Sequence, residues 1–150
     1  MKDIAIYGGS GMGREAACMI NRVNVHAENP AWNLVGFFDD GLEVGLQNGF
    51  GKVIGGIEQL NLYDRPLGLV IAVGAPDVIK SIHSKINNPL IYFPNITDPT
   101  VDFWDTERAC IGEGNIVGPH CSVATNVRIG NFNILNGDVS LRHDVVLGNY

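Results

Sequence analysis

Cysteine is scarce in this chain of 150 residues, where only Cys18, Cys110 and Cys121 occur. An odd number at unrelated spacings is neither a disulfide framework nor a zinc-ligand pattern, and it suits a reducing cytoplasm. Long apolar runs are missing too. No stretch nears the roughly 18 residues of a membrane span. The N-terminus, Met1-Lys2-Asp3-Ile4-Ala5-Ile6, reaches glycines before it can build a signal-peptide core. Positive charge is also short: 10 Lys and Arg stand against 16 Asp and Glu, a net charge of −6. That speaks against a general nucleic-acid binder, since little is left to neutralise a phosphate backbone. With 45% hydrophobic and 17% charged residues the composition is globular, not disordered. These absences predict a cytoplasmic protein with neither a membrane nor a nucleic acid as partner.

Glycine, by contrast, is plentiful, with 19 residues spread along the chain. In the first half glycines punctuate alternating strand and helix patterns. Asp3 to Tyr7 is a β-prone run that ends in Gly8-Gly9-Ser10-Gly11-Met12-Gly13. A helix is predicted over 14–25, with Ala16, Ala17, Met19, Ile20 and Val23 on its apolar face. Leu34 to Phe38 is a second strand, closed by Asp39-Asp40-Gly41. A loop and short helix follow around residues 55–60. Leu67 to Val73 reads as a strand buried on both faces, ending at Gly74. Pro76 then suits the first turn of a helix running to about Ile86, and Leu90 to Phe93 is a fourth strand. This alternation predicts a Rossmann-like α/β domain with a parallel sheet. Ligands of such sheets bind beyond the carboxyl ends of the strands, which here carry the glycine turn, Asp39-Asp40 and Gly74. Free N–H groups at a helix start attract phosphate. The glycine spacing nevertheless departs from the dinucleotide fingerprint, so a turn that merely packs a helix onto a sheet is the competing explanation.

The second half has a period of six. Ile111, Val117, Val123, Ile129, Leu135, Leu141 and Leu147 are all aliphatic. With roughly a quarter of the chain Ile, Leu or Val, seven such positions in one phase arise by chance about once in ten thousand. The following residue is usually small (Gly112, Gly118, Ala124, Gly130, Gly148), with Asn136 and Arg142 as exceptions. Neither a helix nor an ordinary strand has this period. Hexapeptide β-helices do, stacking their aliphatic residues inside a narrow prism.

The two halves together resemble the sialic-acid O-acetyltransferase and bacillosamine-pathway N-acetyltransferase family of bacterial sugar acyltransferases. The resemblance rests on Tyr7-Gly8-Gly9-Ser10-Gly11-Met12-Gly13-Arg14-Glu15, Gly36-Phe37-Phe38-Asp39-Asp40, Val70-Ile71-Ala72-Val73-Gly74, and Leu135-Asn136 leading to Leu141-Arg142-His143-Asp144-Val145-Val146-Leu147-Gly148. It implies a Rossmann-like nucleotide-sugar-binding domain over 1–97, then a linker and the first coils of a left-handed parallel β-helix over 98–150. It implies a homotrimer, with acetyl-CoA as acyl donor in the groove between neighbouring β-helices and no metal. Ser10, Gly11 and Met12 would meet the diphosphate or sugar, Asp39 and Asp40 would hold the uridine, and Gly74 would let the ligand approach the sheet. Asn136 belongs to the same substrate site. The family often has His or Phe where Met12 stands. In that family a coil takes three hexapeptides, so about two coils are expected here, without a capping end. The chain is therefore expected to be the N-terminal part of a longer acyltransferase.

Acyl transfer from a thioester to an amine or hydroxyl needs a base that is active near neutrality, which histidine supplies. The resemblance assigns that role to His143, with Asp144 beside it. Adjacent residues of an extended chain point to opposite faces, so Asp144 can reach His143 only at a corner. His26 and His83 are expected at the surface. His120 raises the alternative of a hexapeptide-repeat zinc enzyme, although a catalytic zinc wants three protein ligands and the repeat offers few. A non-catalytic nucleotide-sugar-binding fragment is the other alternative. Asp102, Asp105, Glu107 and Arg108 suit a solvated linker, with Phe103 and Trp104 packing the two domains together.

Overall fold

The computed structural model describes residues 1–150. Five parallel strands form the first sheet: β1 (Lys2–Tyr7), β2 (Trp32–Phe38), β3 (Val53–Gly55), β4 (Leu67–Ile71) and β5 (Ile91–Tyr92). Their order is β3-β2-β1-β4-β5, so the chain winds outward in both directions from β1. Helix α1 (Gly11–His26) crosses from β1 to β2, α2 (Ile57–Asn61) follows β3, and α3 (Pro76–Lys85) links β4 to β5. All five residues of β4 are buried, as an apolar run inside a parallel sheet requires. One face of the sheet packs Ile4, Ile6, Phe37 and Val70 against Ala16, Ala17 and Ile20 of α1. The other packs Ala5, Leu69 and Ile71 against Ile79 and Ile82 of α3. Four strands are expected from the sequence and five are present, because the three-residue β3 is too short to show periodicity.

From Ile96 onward the chain turns into a three-sided prism. One face holds β6 (Ile96–Thr97), β9 (Ile116–Val117) and β12 (Ile134–Leu135). The second holds β7 (Asp102–Phe103), β10 (Ser122–Val123) and β13 (Ser140–Leu141). The third holds β8 (Cys110–Ile111), β11 (Arg128–Ile129) and β14 (Val146–Leu147). Three coils are therefore present, not two. Thr97 and Phe103 take the inward positions of the first coil, in register with Val117 and Val123. Neither is aliphatic, and the corner after Phe103 is longer than the later ones, so this coil escapes the periodicity. Asp102 and Phe103 are strand, not linker. Phe103 packs into the prism core and Trp104 stays 55% exposed, so neither joins the domains.

The prism's corners explain the period of six from the backbone side. Non-glycine residues with positive φ are His120, Asn126, Phe132, Asp138, Asp144 and Tyr150, each six after the last, with φ between 58 and 66°. Each corner from His120 onward thus passes once through the left-handed region, where short polar side chains are the best tolerated. Asn115 is fully buried and runs a ladder through the prism. Its Nδ2 donates to Asn95 Oδ1 (3.1 Å) and to the Gly130 carbonyl (2.9 Å), and its Oδ1 accepts from the Asn133 backbone N–H at 2.9 Å.

The two halves meet on the face made by β6, β9 and β12. Ile96 and Ile116 lie in one cluster with Ala16, Met19 and Ile20, and Ile134 packs against it. Beside that face α3 contributes His83, expected at the surface but half-buried against aromatic rings. Its ring centroid lies 4.2 Å from that of Phe132 and 5.1 Å from that of Phe93, and its Nδ1 is 3.0 Å from the Tyr150 hydroxyl. No helix is long and apolar enough to cross a membrane.

Candidate functional site

The carboxyl ends of β1, β2 and β4 converge on the glycine turn. Gly8 has φ +107°, and a β-carbon there would sit 2.7 Å from the Ala72 carbonyl oxygen. A β-carbon on Gly13 would collide with the Gly8 carbonyl. These two glycines let α1 and the neighbouring strand close on the turn. Gly11 is different: it has open space around it and nothing in the protein to forbid a side chain. Ser10 is the N-cap of α1 but makes no side-chain capping bond. The first N–H groups of a helix lack partners within it, so the end of α1 offers donors above the sheet.

Asp39 and Asp40 are held in place by local bonds. Asp39 Oδ2 accepts from the Gly9 N–H (2.9 Å) and its Oδ1 from the Gly41 N–H (2.8 Å). Asp40 Oδ2 accepts from the Tyr7 hydroxyl (2.5 Å) and its Oδ1 from the Ile57 N–H at the start of α2 (2.8 Å). The Tyr7 bond, then the Ile57 N–H, lowers the Asp40 carboxyl below the usual range. Burial first, then the Asp40 carboxylate, raises the Tyr7 phenol. A hollow of about 270 Å³ opens here, lined by Tyr7, Gly8, Asp39, Asp40, Ser81 and Lys85. Gly74 lies exposed just beyond it.

A larger cleft, about 760 Å³, runs between α1 and the corners that join the first face to the second. Met12, Glu15, Met19 and Arg22 line it from the helix, and Pro119, His120, Asn136 and Gly137 from the prism. The structure thus brings Met12 and Asn136 to one cleft. Sequence reasoning missed Arg22 and Asp98 at the far end of it, and considered His120 only as a zinc ligand. A signal existed in the spacing Met12-Glu15-Met19-Arg22, a stripe along one helix face.

His143 sits elsewhere. It is exposed at the corner between the second and third faces, the vertex opposite the face on which α1 packs. There the corner geometry does what an extended strand cannot. Asp144 has φ +62°, and its Oδ2 lies 2.8 Å from His143 Nδ1. Asn126 Nδ2, one coil earlier, donates to Asp144 Oδ1 at 2.6 Å. The Asn126 bond, then the His143 contact, lowers the Asp144 carboxyl. The carboxylate holds the ring through Nδ1, which leaves Nε2 free to accept a proton. Beside it the Arg142 guanidinium stacks on Trp104, 5.0 Å from the ring centroid. His120 and His143 occupy different vertices, and no group of three His, Cys, Asp or Glu side chains is arranged to hold a metal.

Several solved structures share this fold. The acetyltransferase domain of PglB from Neisseria gonorrhoeae aligns with a TM-score of 0.81 and 23% identity, over 99% of this chain and 69% of that one. WeeI from Acinetobacter baumannii aligns with a TM-score of 0.81 and 22% identity, over 99% and 67%. PerB from Caulobacter crescentus, solved in complex with CoA and GDP-perosamine, aligns with a TM-score of 0.81 and 18% identity, over 97% and 65%. The chain therefore spans about two-thirds of the length of these relatives. No curated protein sequence matches it significantly. Residues 3–86, more than half the chain, match the family described as the PglD N-terminal domain, and the chain belongs to that family.

Proposed function

We propose that this chain is the sugar-binding and base-bearing part of an acetyl-CoA-dependent N- or O-acetyltransferase acting on a nucleotide-linked sugar in the cytoplasm. The observation that carries this is the His143–Asp144–Asn126 arrangement: an exposed imidazole whose Nδ1 is held by a carboxylate that is itself fixed from the previous coil. Likeness in fold to PerB, solved with CoA and GDP-perosamine, supports the choice of reactants.

In this proposal the N–H groups at Ser10, Gly11 and Met12 receive the diphosphate. Asp39, Asp40 and Gly74 shape the nucleoside hollow, and the sugar reaches Met12 and Asn136. His143 Nε2 removes the proton from the attacking nitrogen or oxygen as that atom bonds to the acetyl carbonyl carbon. The carbon–sulfur bond breaks and CoA leaves. A well-placed general base contributes typically 10²–10⁴-fold, in the range of about 3–5 kcal/mol of barrier. Within one chain the glycine turn and His143 lie on opposite sides of the prism, so the proposed chemistry needs His143 from a neighbouring copy. A closed trimer supplies it, and the groove between neighbouring prisms would receive acetyl-CoA.

Calorimetric titration with UDP- and GDP-sugars, and separately with acetyl-CoA, tests the proposal. A nucleotide-sugar should bind wild type, and Asp39→Ala should weaken it with the fold intact, because the Gly9 N–H loses its partner. Equal binding by Asp39→Ala would remove the proposed nucleoside site. Sugar binding without acyl transfer by the intact protein would leave a binding module, not an enzyme.

A further inference from the structure

The cleft beside α1 ends, away from the glycine turn, on a charge pair that none of the proposed chemistry uses. Asp98 follows β6 and its side chain is 0% exposed, while that of Arg22 is 44% exposed. Arg22 donates through Nε to Asp98 Oδ2 (2.5 Å) and through Nη2 to Oδ1 (3.0 Å). Asp98 Oδ1 also accepts from the Thr100 N–H (2.9 Å) and hydroxyl (2.6 Å). The Thr100 oxygen in turn accepts from the backbone N–H of His120 at 3.0 Å. One carboxylate thereby ties the helix to two successive coils, and the second of them supplies the cleft wall at His120.

We propose that Arg22 and Asp98 are positioning residues: their pair fixes the tilt and register of α1 on the prism, and with it the spacing between Met12 and the Asn136 wall. The proposal rests on the cleft receiving the sugar. Stability alone is a poor reason for such a pair, since desolvation offsets most of its Coulomb attraction and apolar residues of similar volume hold as well or better. The remaining contact of α1 with the prism, through Ala16, Met19, Ile20, Ile96 and Ile116, is apolar. Apolar contact is non-directional and allows sliding. A two-point guanidinium–carboxylate bond is directional. Met12 lies ten residues from Arg22, about 15 Å along the helix. A tilt of a few degrees about the far end therefore moves Met12 by about an ångström, and a displacement of that size can cost about 10²-fold in rate.

The double variant Arg22→Met with Asp98→Asn tests this, because it removes both charges yet keeps an acceptor for Thr100 and an apolar stem on the helix. Spin labels at Arg14→Cys on α1 and Asp138→Cys on the corner report the cleft width, with Cys18→Ser and Cys110→Ser as background. A narrow distance distribution is expected in the parent and a broadened or shifted one in the folded double variant. In the intact enzyme kcat should fall roughly 10- to 100-fold while KM for the nucleotide-sugar stays within about twofold. Arg22→Lys, with charge but no fork, should recover only part of the rate. An unchanged distance distribution in a folded double variant would overturn the proposal. So would an unchanged kcat, a loss confined to KM, or full recovery by Arg22→Lys. If wild type transfers no acetyl group, the proposed function fails, and the distance measurement still decides the positioning role.

Discussion

Two alanine substitutions in the glycine turn should part company, and the contrast separates packing from ligand binding. Gly13 is buried at the crossing of α1 and the turn. A β-carbon there would lie 2.9 Å from the Gly8 carbonyl carbon and well inside contact distance of its oxygen. Turn and helix must separate by about an ångström to admit it, an overpacking that typically costs 1–3 kcal/mol. In a chain of this length that lowers Tm by roughly 3–10 °C, and the displaced N–H groups should lose nucleotide affinity as well. Gly11 meets nothing within 4 Å, so Gly11→Ala should leave stability, and with it Tm, unchanged or slightly higher, by up to about 1 kcal/mol of lost unfolded-state freedom. If the diphosphate sits above the helix start, the new methyl group crowds it. Loss of one charge-assisted bond, about 1.5–3 kcal/mol, then weakens binding tenfold or more. Thermal denaturation and calorimetry on the same samples read both effects. Gly11→Ala binding a nucleotide-sugar as wild type does would refute the placement of the phosphate. Gly13→Ala with wild-type Tm would refute the packing argument.

Asn115→Leu should destabilise the prism by about 2–4 kcal/mol in urea unfolding, since it strands the Gly130 carbonyl and the Asn133 N–H inside; a loss under about 0.5 kcal/mol would mean the ladder is dispensable. Acid should unfold the protein partly through Asp98, whose carboxyl is held far below the ordinary 3.8 first by Arg22 and then, against its burial, by Thr100. A depressed carboxylate contributes stability that is complete above about pH 4 and drains as pH falls toward its folded value. Tm measured from pH 6 to pH 2 should therefore fall less steeply below pH 4 in Asp98→Asn than in wild type, and parallel curves would contradict the assignment.

Much of this architecture was legible because it is periodic. The aliphatic phase from Ile111 to Leu147 names the inward positions of the later coils, and the run Leu67 to Val73 names β4, a strand buried on both faces. The first coil was hidden because its inward residues are Thr97 and Phe103 and its second corner is longer than six allows. Phe103 and Trp104 misled for the same reason, since an aromatic pair in a charged stretch reads as an interdomain plug. His83 looked superficial because its partners, Phe93, Phe132 and Tyr150, come from β5's end and from the prism, far along the chain. The site was legible in part. The glycine turn, Asp39-Asp40 and the His143-Asp144 dipeptide are local patterns. At the cleft end Arg22 meets Asp98 from 76 residues away, a pairing that no local pattern encodes. Nor could spacing reveal that His143 stands at the vertex opposite α1.

The most direct test of acyl transfer by this site is the steady-state rate of His143→Ala in the intact protein with acetyl-CoA and a nucleotide-sugar that binds wild type. The expected result is a kcat lowered by roughly 10²–10⁴ with sugar affinity little changed, and a smaller loss for Asp144→Asn, which acts only through the imidazole. A fully active His143→Ala enzyme would contradict the account.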